Sequence, residues 1–164
     1  MVAGERKAAL REELVAAQRD LVSLLDRLGP DDWARATPNE GWTIRDLLVH
    51  LSTAETGFVG TLRRMAAGQG GVPSDFDPNR WNAGQLRRRA ESPTSQLRSE
   101  LEAAHVAMLE LLDSLEEAAL DQTGHMSSGQ DGTTEDNLRL VAQHKRAHTA
   151  DMRAALGPVP NLAT

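Results

Sequence analysis

The chain has 164 residues, of which 40% are hydrophobic and 26% charged, a balance typical of one soluble globular domain spanning residues 1–164. Its formal net charge of −6 disfavours binding to nucleic-acid backbones, and its lack of cysteine excludes disulfides, thiolate ligands and a protein thiol nucleophile. No apolar run approaches the ~20 residues of a membrane span, and the charged first residues lack the apolar region of a secretory signal, which predicts a cytoplasmic protein.

The first two predicted helices cover residues 5–28 and 43–67. The apolar stripe of the first repeats at spacings of three and four, with Leu10, Leu14, Ala17, Leu21, Leu24 and Leu28. The Gly-Pro step that follows is a typical stop signal. Thr43 is the predicted cap of the second helix, with Asp46 three residues later as in a capping box. The stripe of the second helix contains Ile44, Leu47, Leu48, Leu51, Ala54, Phe58, Leu62 and Met65.

Two further long helices are predicted over residues 93–118, with Ser92 as cap, and 134–156, with Thr133 as cap. A short helical piece over 80–90 precedes them, and the segments 68–79 and 120–132 read as polar, glycine-bearing loops. Few residues are β-branched and none is Tyr, which argues against a sheet. We therefore predict an all-α four-helix bundle with a short extra helix between helices 2 and 3.

Two histidines lie four residues apart on the last predicted helix. That spacing puts the imidazoles of His144 and His148 on one face, about 5–6 Å apart at Cβ, which suits one metal ion. Zinc proteases use the same spacing, but their glutamate after the first histidine is replaced here by Lys145, which argues against that activity. The alternative interpretation is a pair of surface or half-buried histidines on a charged helix.

A third histidine, His50, flanks the apolar stripe of the second helix between Leu47 and Leu51. Helical bundles build metal sites from inward side chains on facing helices, so His50 is a candidate third ligand. A lone histidine at this position is otherwise a hydrogen-bonded boundary residue. Spacing alone does not decide whether His50 faces the pair on the last helix.

Several other polar residues have both a structural and a functional interpretation. Asp46 is either a helix-start residue or an acceptor that orients His50 from four residues away. His105 is either a boundary histidine of the third long helix or a general base facing the site. Asp151 is a solvated charge or lies near the site mouth, and Arg87 belongs to a solvated arginine run or holds an acidic substrate or thiol cofactor.

Three segments of the chain resemble the DinB-like superfamily. GWTIRDLLVHL from Gly41 is similar to its second-helix signature, and TTEDNLRLVAQHKRAHTADMRAAL from Thr133 is similar to its last-helix HxxxH signature. DPNRWNAGQLRRR from Asp77 resembles the branch that contains the N-terminal domain of the mycothiol-dependent maleylpyruvate isomerase. The resemblance implies a four-helix bundle, often a homodimer, that binds zinc, nickel or a similar ion.

The same resemblance implies roles for individual residues. It makes His50, His144 and His148 the metal triad, and it puts Trp81 and Asn82 at a pocket entrance. Characterised relatives are S-transferases and isomerases that use thiols such as mycothiol or bacillithiol.

Three histidine ligands leave one coordination position open, as in catalytic sites. We predict a metal-dependent enzyme that uses a low-molecular-weight thiol on a small electrophile, since a bound metal favours the thiolate. The alternatives are a metal-assisted hydrolase and a non-catalytic metal-binding stress or partner protein.

Overall fold

The computed structural model describes residues 4–158. Within that range the chain forms two single-turn 3₁₀ segments, Pro30–Ala34 and Glu117–Asp121, and a hairpin of β1 (Thr123–His125) and β2 (Asp131–Thr133). Its five α-helices are α1 (Glu5–Leu25), α2 (Ile44–Ala66), α3 (Pro78–Arg88), α4 (Thr94–Ser114) and α5 (Thr134–Leu156).

The four long helices α1, α2, α4 and α5 form the predicted bundle, and α3 is the predicted extra helix. The strongest packing joins α2 to α4 and α1 to α5, while α2 also contacts α5 and α3. The leucine stripes make the core, with Leu14, Leu21, Leu48 and Leu101 almost fully buried. None of the helices in residues 4–158 is long and apolar enough to cross a membrane.

The two helices that contribute His50, His144 and His148, α2 and α5, each begin with a capping box. The Thr43 hydroxyl accepts a hydrogen bond from the Asp46 backbone N–H at 3.2 Å, and the Asp46 carboxylate accepts one from the Thr43 backbone at 2.9 Å. Thr133 and Asp136 repeat the arrangement at the start of α5. These reciprocal bonds satisfy backbone N–H groups that have no partner within the helix, and they fix where each helix begins. The starting residue in turn determines which side chains face the interior.

Two predicted helix ends are wrong by a few residues. The first helix ends at Leu25, because the bonds of Arg27 to Leu24 and of Leu28 to Leu25 tighten to the i to i−3 pattern before Pro30. The helix predicted over 93–118 is α4, which begins at Thr94 with Pro93 as its cap and ends at Ser114.

The early end of α4 depends on a lysine of α1. The Lys7 ammonium donates hydrogen bonds to the backbone carbonyls of Asp113 and Leu115, at 2.8 and 2.7 Å. A cation on the last carbonyls of a helix satisfies acceptors that have no partner within the helix. Leu115 is then free to take the extended backbone that leads into the 3₁₀ segment.

The short helix and the last connection also differ from prediction. The helix α3 starts at Pro78, since the Asp77 carboxylate accepts bonds from the Asn79 and Arg80 backbones. The segment expected to be a polar loop contains the hairpin, in which Thr123 pairs with Thr133 and His125 with Asp131. Each strand has only three residues, too few to give a periodic signal in the sequence.

The hairpin is fixed to the loop after α2 through a close backbone approach. The Val72 N–H donates to the His125 carbonyl at 2.8 Å. A Cβ atom at Gly71 would overlap that carbonyl oxygen, so this crossing requires glycine. The loop and the hairpin turn thereby become neighbours, although they are about fifty residues apart in the chain.

Candidate metal centre

Three imidazoles from α2 and α5 converge inside the bundle. His50 Nε2 lies 2.7 Å from His144 Nε2, and the ring centroids of His50, His144 and His148 are 4.6–4.9 Å apart in pairs. One ring nitrogen from each of the three lies within 4.8 Å of the others. The structure thus decides what the spacing left open, because His50 faces the pair on the last helix. Their role as metal ligands stays a prediction.

Two of the rings are oriented by acceptors outside the cluster. His50 Nδ1 donates to Asn82 Oδ1 of α3 at 3.1 Å, and His148 Nδ1 donates to Asp151 Oδ2 at 3.0 Å. The Asp151 carboxylate also accepts a 2.7 Å bond from Asn39 Nδ2. With the proton on Nδ1, the lone pair of each Nε2 is available inside the cluster, as in metal sites whose histidines donate their other N–H to an acceptor.

Burial favours the neutral form of His50 and His144. It lowers the pKa of His50 to about 4, with the nearby His148 adding to the effect. The pKa of His144 is lowered further by the same cause and by its histidine neighbours. A neutral imidazole is the form that binds a metal ion. The donor set of three nitrogens suits a borderline transition ion such as zinc or nickel.

A cavity of about 460 Å³ lies beside the histidines. His50 and His144 form part of its wall, whereas His148 does not line it. The other wall residues come from α2, α3, α5, the loop after α2 and the turn of the hairpin, including Phe58, Trp81, Leu140 and Ser127. A volume of this size suits a small organic molecule. The arrangement can therefore hold a substrate against any ion bound by the histidines.

Of the candidates named from resemblance, Trp81 and Asn82 lie in the wall of this cavity. Arg87 does not, since it lines an adjoining cleft together with Arg80 and Arg88, and this cleft shares Pro73, Phe76 and Trp81 with the cavity. The candidate role of Arg87 in holding a substrate beside the histidines has no support in this placement.

The structure does not bring the two other candidates to the cluster. The Asp46 carboxylate bonds the Thr43 backbone and hydroxyl as a helix cap, and the acceptor on His50 is Asn82 instead. His105 Nδ1 of α4 lies 3.4 Å from the Glu55 carboxylate, in the bundle core. His125 pairs with Asp131 in the hairpin. Two side chains beside the cluster were missed or only partly anticipated. Periodicity gives no signal for Asn39, which donates to Asp151. A position near the site mouth was one of the two interpretations of Asp151.

The side chain next to His144 enters a different, buried polar cluster. Lys145 is 2% exposed and Glu55 is 3% exposed. The Lys145 ammonium donates to Glu55 Oε1 at 2.9 Å and to Gln18 Oε1 at 2.7 Å. With His105, this cluster takes one residue from each of the four bundle helices. It fixes α5 against α1 and α2 at the level where His144 turns toward His50.

The family model described as the mycothiol maleylpyruvate isomerase N-terminal domain matches residues 14–153. The chain belongs to this family. The match contains all three histidines and the Asn82 and Asp151 acceptors, and it confirms the resemblance inferred from the motifs.

Several solved structures have the same fold as this chain. YfiT from Bacillus subtilis, described as a probable metal-dependent hydrolase with an unusual four-helix bundle topology, is 17% identical with a TM-score of 0.77, covering 94% of this chain and 88% of its own. The mycothiol-dependent maleylpyruvate isomerase is 16% identical with a TM-score of 0.73, covering 87% of this chain. The present chain spans 60% of that isomerase's length.

A third similar structure is the sibling lethal factor precursor DfsB, which is 16% identical with a TM-score of 0.69 and covers 94% of this chain and 95% of its own. The chain has no match among curated protein sequences. At these identities the structural likeness establishes the DinB-like four-helix bundle and nothing about the reaction.

Proposed function

We propose that the protein binds one divalent transition-metal ion through His50, His144 and His148 and uses it in a reaction between a low-molecular-weight thiol and a small electrophile. The observation that carries the proposal is the convergence of three imidazoles, two of them in the wall of a cavity large enough for a small molecule. Family membership supports the thiol. The chain has no cysteine, so the thiol must come from a small molecule.

An ion held by the three histidines would lower the pKa of a thiol and favour its thiolate at neutral pH. The chain's own residues do the rest. Asn82 and Asp151 orient two of the imidazoles through their Nδ1 protons. Phe58 and Trp81 supply apolar walls that exclude water from the reacting groups. The thiolate sulfur would form a bond to the electrophilic carbon, the bond from that carbon to its leaving group would break with its electron pair, and the thiol proton would pass to solvent.

The test is a panel of thiols with the metal-loaded protein and a chromogenic electrophile, chlorodinitrobenzene. We expect turnover that depends on the thiol, with mycothiol or bacillithiol preferred over free cysteine, and loss of that turnover in metal-stripped protein. Equal rates with and without protein for every thiol, despite stoichiometric metal, would refute the enzyme and favour a metal-binding partner or stress protein.

A metal-assisted hydrolase is the second candidate. It is favoured by the likeness to YfiT, which is described as a probable metal-dependent hydrolase. An ion bound by three histidines can also activate water. Cleavage of a chromogenic ester by the metal-loaded protein in the absence of thiol distinguishes this reaction from thiol transfer.

Removal of the Asp151 carboxylate tests how the site is supported. In the variant Asp151→Ala, His148 loses its acceptor, and we expect affinity for Zn²⁺ to fall by about 10–100-fold, as for other acceptors behind metal-bound histidines. A competition titration with a chromophoric chelator measures the change. Asp20→Ala, which removes an exposed carboxylate of α1, is the control and should bind zinc like the unmodified protein. Equal affinities in the two variants would remove Asp151 from the site.

A further inference from the structure

The end of the cavity opposite the histidines contains an arginine. Helix α2 presents His50, Phe58 and Arg64 to the cavity, and the intervening wall residues Ala54, Gly57 and Thr61 continue the same helical face. The Arg64 guanidinium folds back toward Gly60, whose carbonyl is 3.4 Å from Nη1. Gly60 is ten residues after His50. At 1.5 Å per residue, the guanidinium therefore lies roughly 15 Å along the helix axis from His50.

This guanidinium has no carboxylate partner among residues 4–158, where no Asp or Glu oxygen lies within 4.0 Å of it. Its contacts are neutral oxygens, including the Gly71 carbonyl at 3.2 Å. By contrast, Arg6 and Arg139 each engage Glu135 and at least one further carboxylate. Arg64 thus keeps an unneutralised positive charge at the cavity.

The rest of the cavity wall has no negative charge that would oppose an anion. Among the described residues that form it there is no Asp or Glu, and Arg64 is the only arginine or lysine. The hydroxyls of Thr61, Ser127 and Ser128 add neutral hydrogen-bond donors. The side chains of Phe58, Phe76, Trp81 and Leu140 make the remaining surface apolar.

We propose that the cavity selects an elongated, mainly apolar organic anion, whose carboxylate-like group contacts Arg64 while its other end approaches the histidines. A planar guanidinium matches a carboxylate and donates two parallel hydrogen bonds to it. The placement of the reactive end rests on the proposed metal-dependent function. The preference for an anion does not, because it depends on Arg64 and on the apolar walls alone.

The experiment measures binding to metal-free protein by titration calorimetry at pH 8, so that no bound ion attracts the ligand. The probes are 6-phenylhexanoate and its uncharged amide, which have the same apolar body. We expect the unmodified protein to bind the acid about tenfold more tightly than the amide, in line with a charge-assisted hydrogen bond from the exposed Arg64 guanidinium. Arg64→Gln should abolish this difference by weakening only the acid.

Two further variants separate charge from structure. Arg63→Gln removes the neighbouring exposed arginine, which is not part of the cavity wall, and should leave the preference intact. Arg64→Lys keeps the charge but loses the planar pair of donors, and should retain only part of the preference. An undiminished preference in Arg64→Gln, a similar loss in Arg63→Gln, or no measurable binding of either probe would overturn the proposal.

The outcome is independent of the thiol assay. A preference for the acid together with absent thiol turnover would leave the anion site standing and refute the proposed function. Thiol turnover with equal affinities for acid and amide would support the proposed function and refute the anion site.

Discussion

Replacing His148 with Ala should abolish stoichiometric metal binding while leaving helix content nearly unchanged. Loss of one of three ligands should cost more than the 10–100-fold typical of an acceptor behind a ligand, so affinity should fall by more than about 100-fold. The fold should survive because Ala is a good helix former and the His148 side chain is 14% exposed at the inner edge of α5. Metal analysis after gel filtration and far-ultraviolet circular dichroism measure the two quantities.

The histidine variants form a matched series. His50→Ala and His144→Ala should behave like His148→Ala, whereas His125→Ala, which changes the hairpin histidine outside the cluster, should keep full metal content. Unchanged occupancy in one of the three cluster variants would exclude that residue from the ligand set. Equal loss in His125→Ala would place the metal elsewhere.

The second large effect should come from the buried polar cluster. Lys145→Met alone leaves the Glu55 carboxylate without its cation in the core, and we expect a loss of about 3–5 kcal/mol in the free energy of unfolding. Glu55→Leu alone should cost a similar amount, because it leaves the Lys145 ammonium buried with Gln18 as its remaining oxygen partner. Urea denaturation followed by circular dichroism measures both losses.

The double variant, with Met at 145 and Leu at 55, should recover most of that loss, since replacing a buried ion pair by apolar groups of similar volume is often neutral or stabilising. Arg11→Met, which breaks the exposed pair of Arg11 with Asp113, serves as the surface control and should change stability little. Additive losses in the double variant would show that Lys145 and Glu55 do not act as a pair.

The sequence signals that proved reliable are those whose cause is local. Thr43 and Thr133 bond to the backbone three residues ahead, so both were predicted as caps, and α5 was predicted over its full length; the capping box of Thr133 with Asp136 was not predicted. The apolar stripes followed from helix periodicity. The end of α4 could not be read in this way, because it depends on Lys7, more than a hundred residues earlier in the chain.

The same distinction applies to the candidate site. The spacing of His144 and His148 predicted that they share a helix face, but the position of His50 against them depends on the packing of α2 on α5. Asn39 reaches Asp151 from an irregular connection 112 residues away, and no periodicity marks that contact. The buried partners of Lys145 escaped prediction too, because a lysine on a charged helix is ordinarily solvated.

The close crossing at Gly71 implies that the two ends of the cavity can change independently. The end with the histidines is built on two capped helices of the bundle. Much of the other end comes from short connections, residues 72–76 and the Ser127–Ser128 turn, that meet through a single backbone bond. Substitutions in these connections would therefore change which molecules enter the cavity without moving the histidines. Proteins with this fold could in this way bind different ligands beside the same reactive centre.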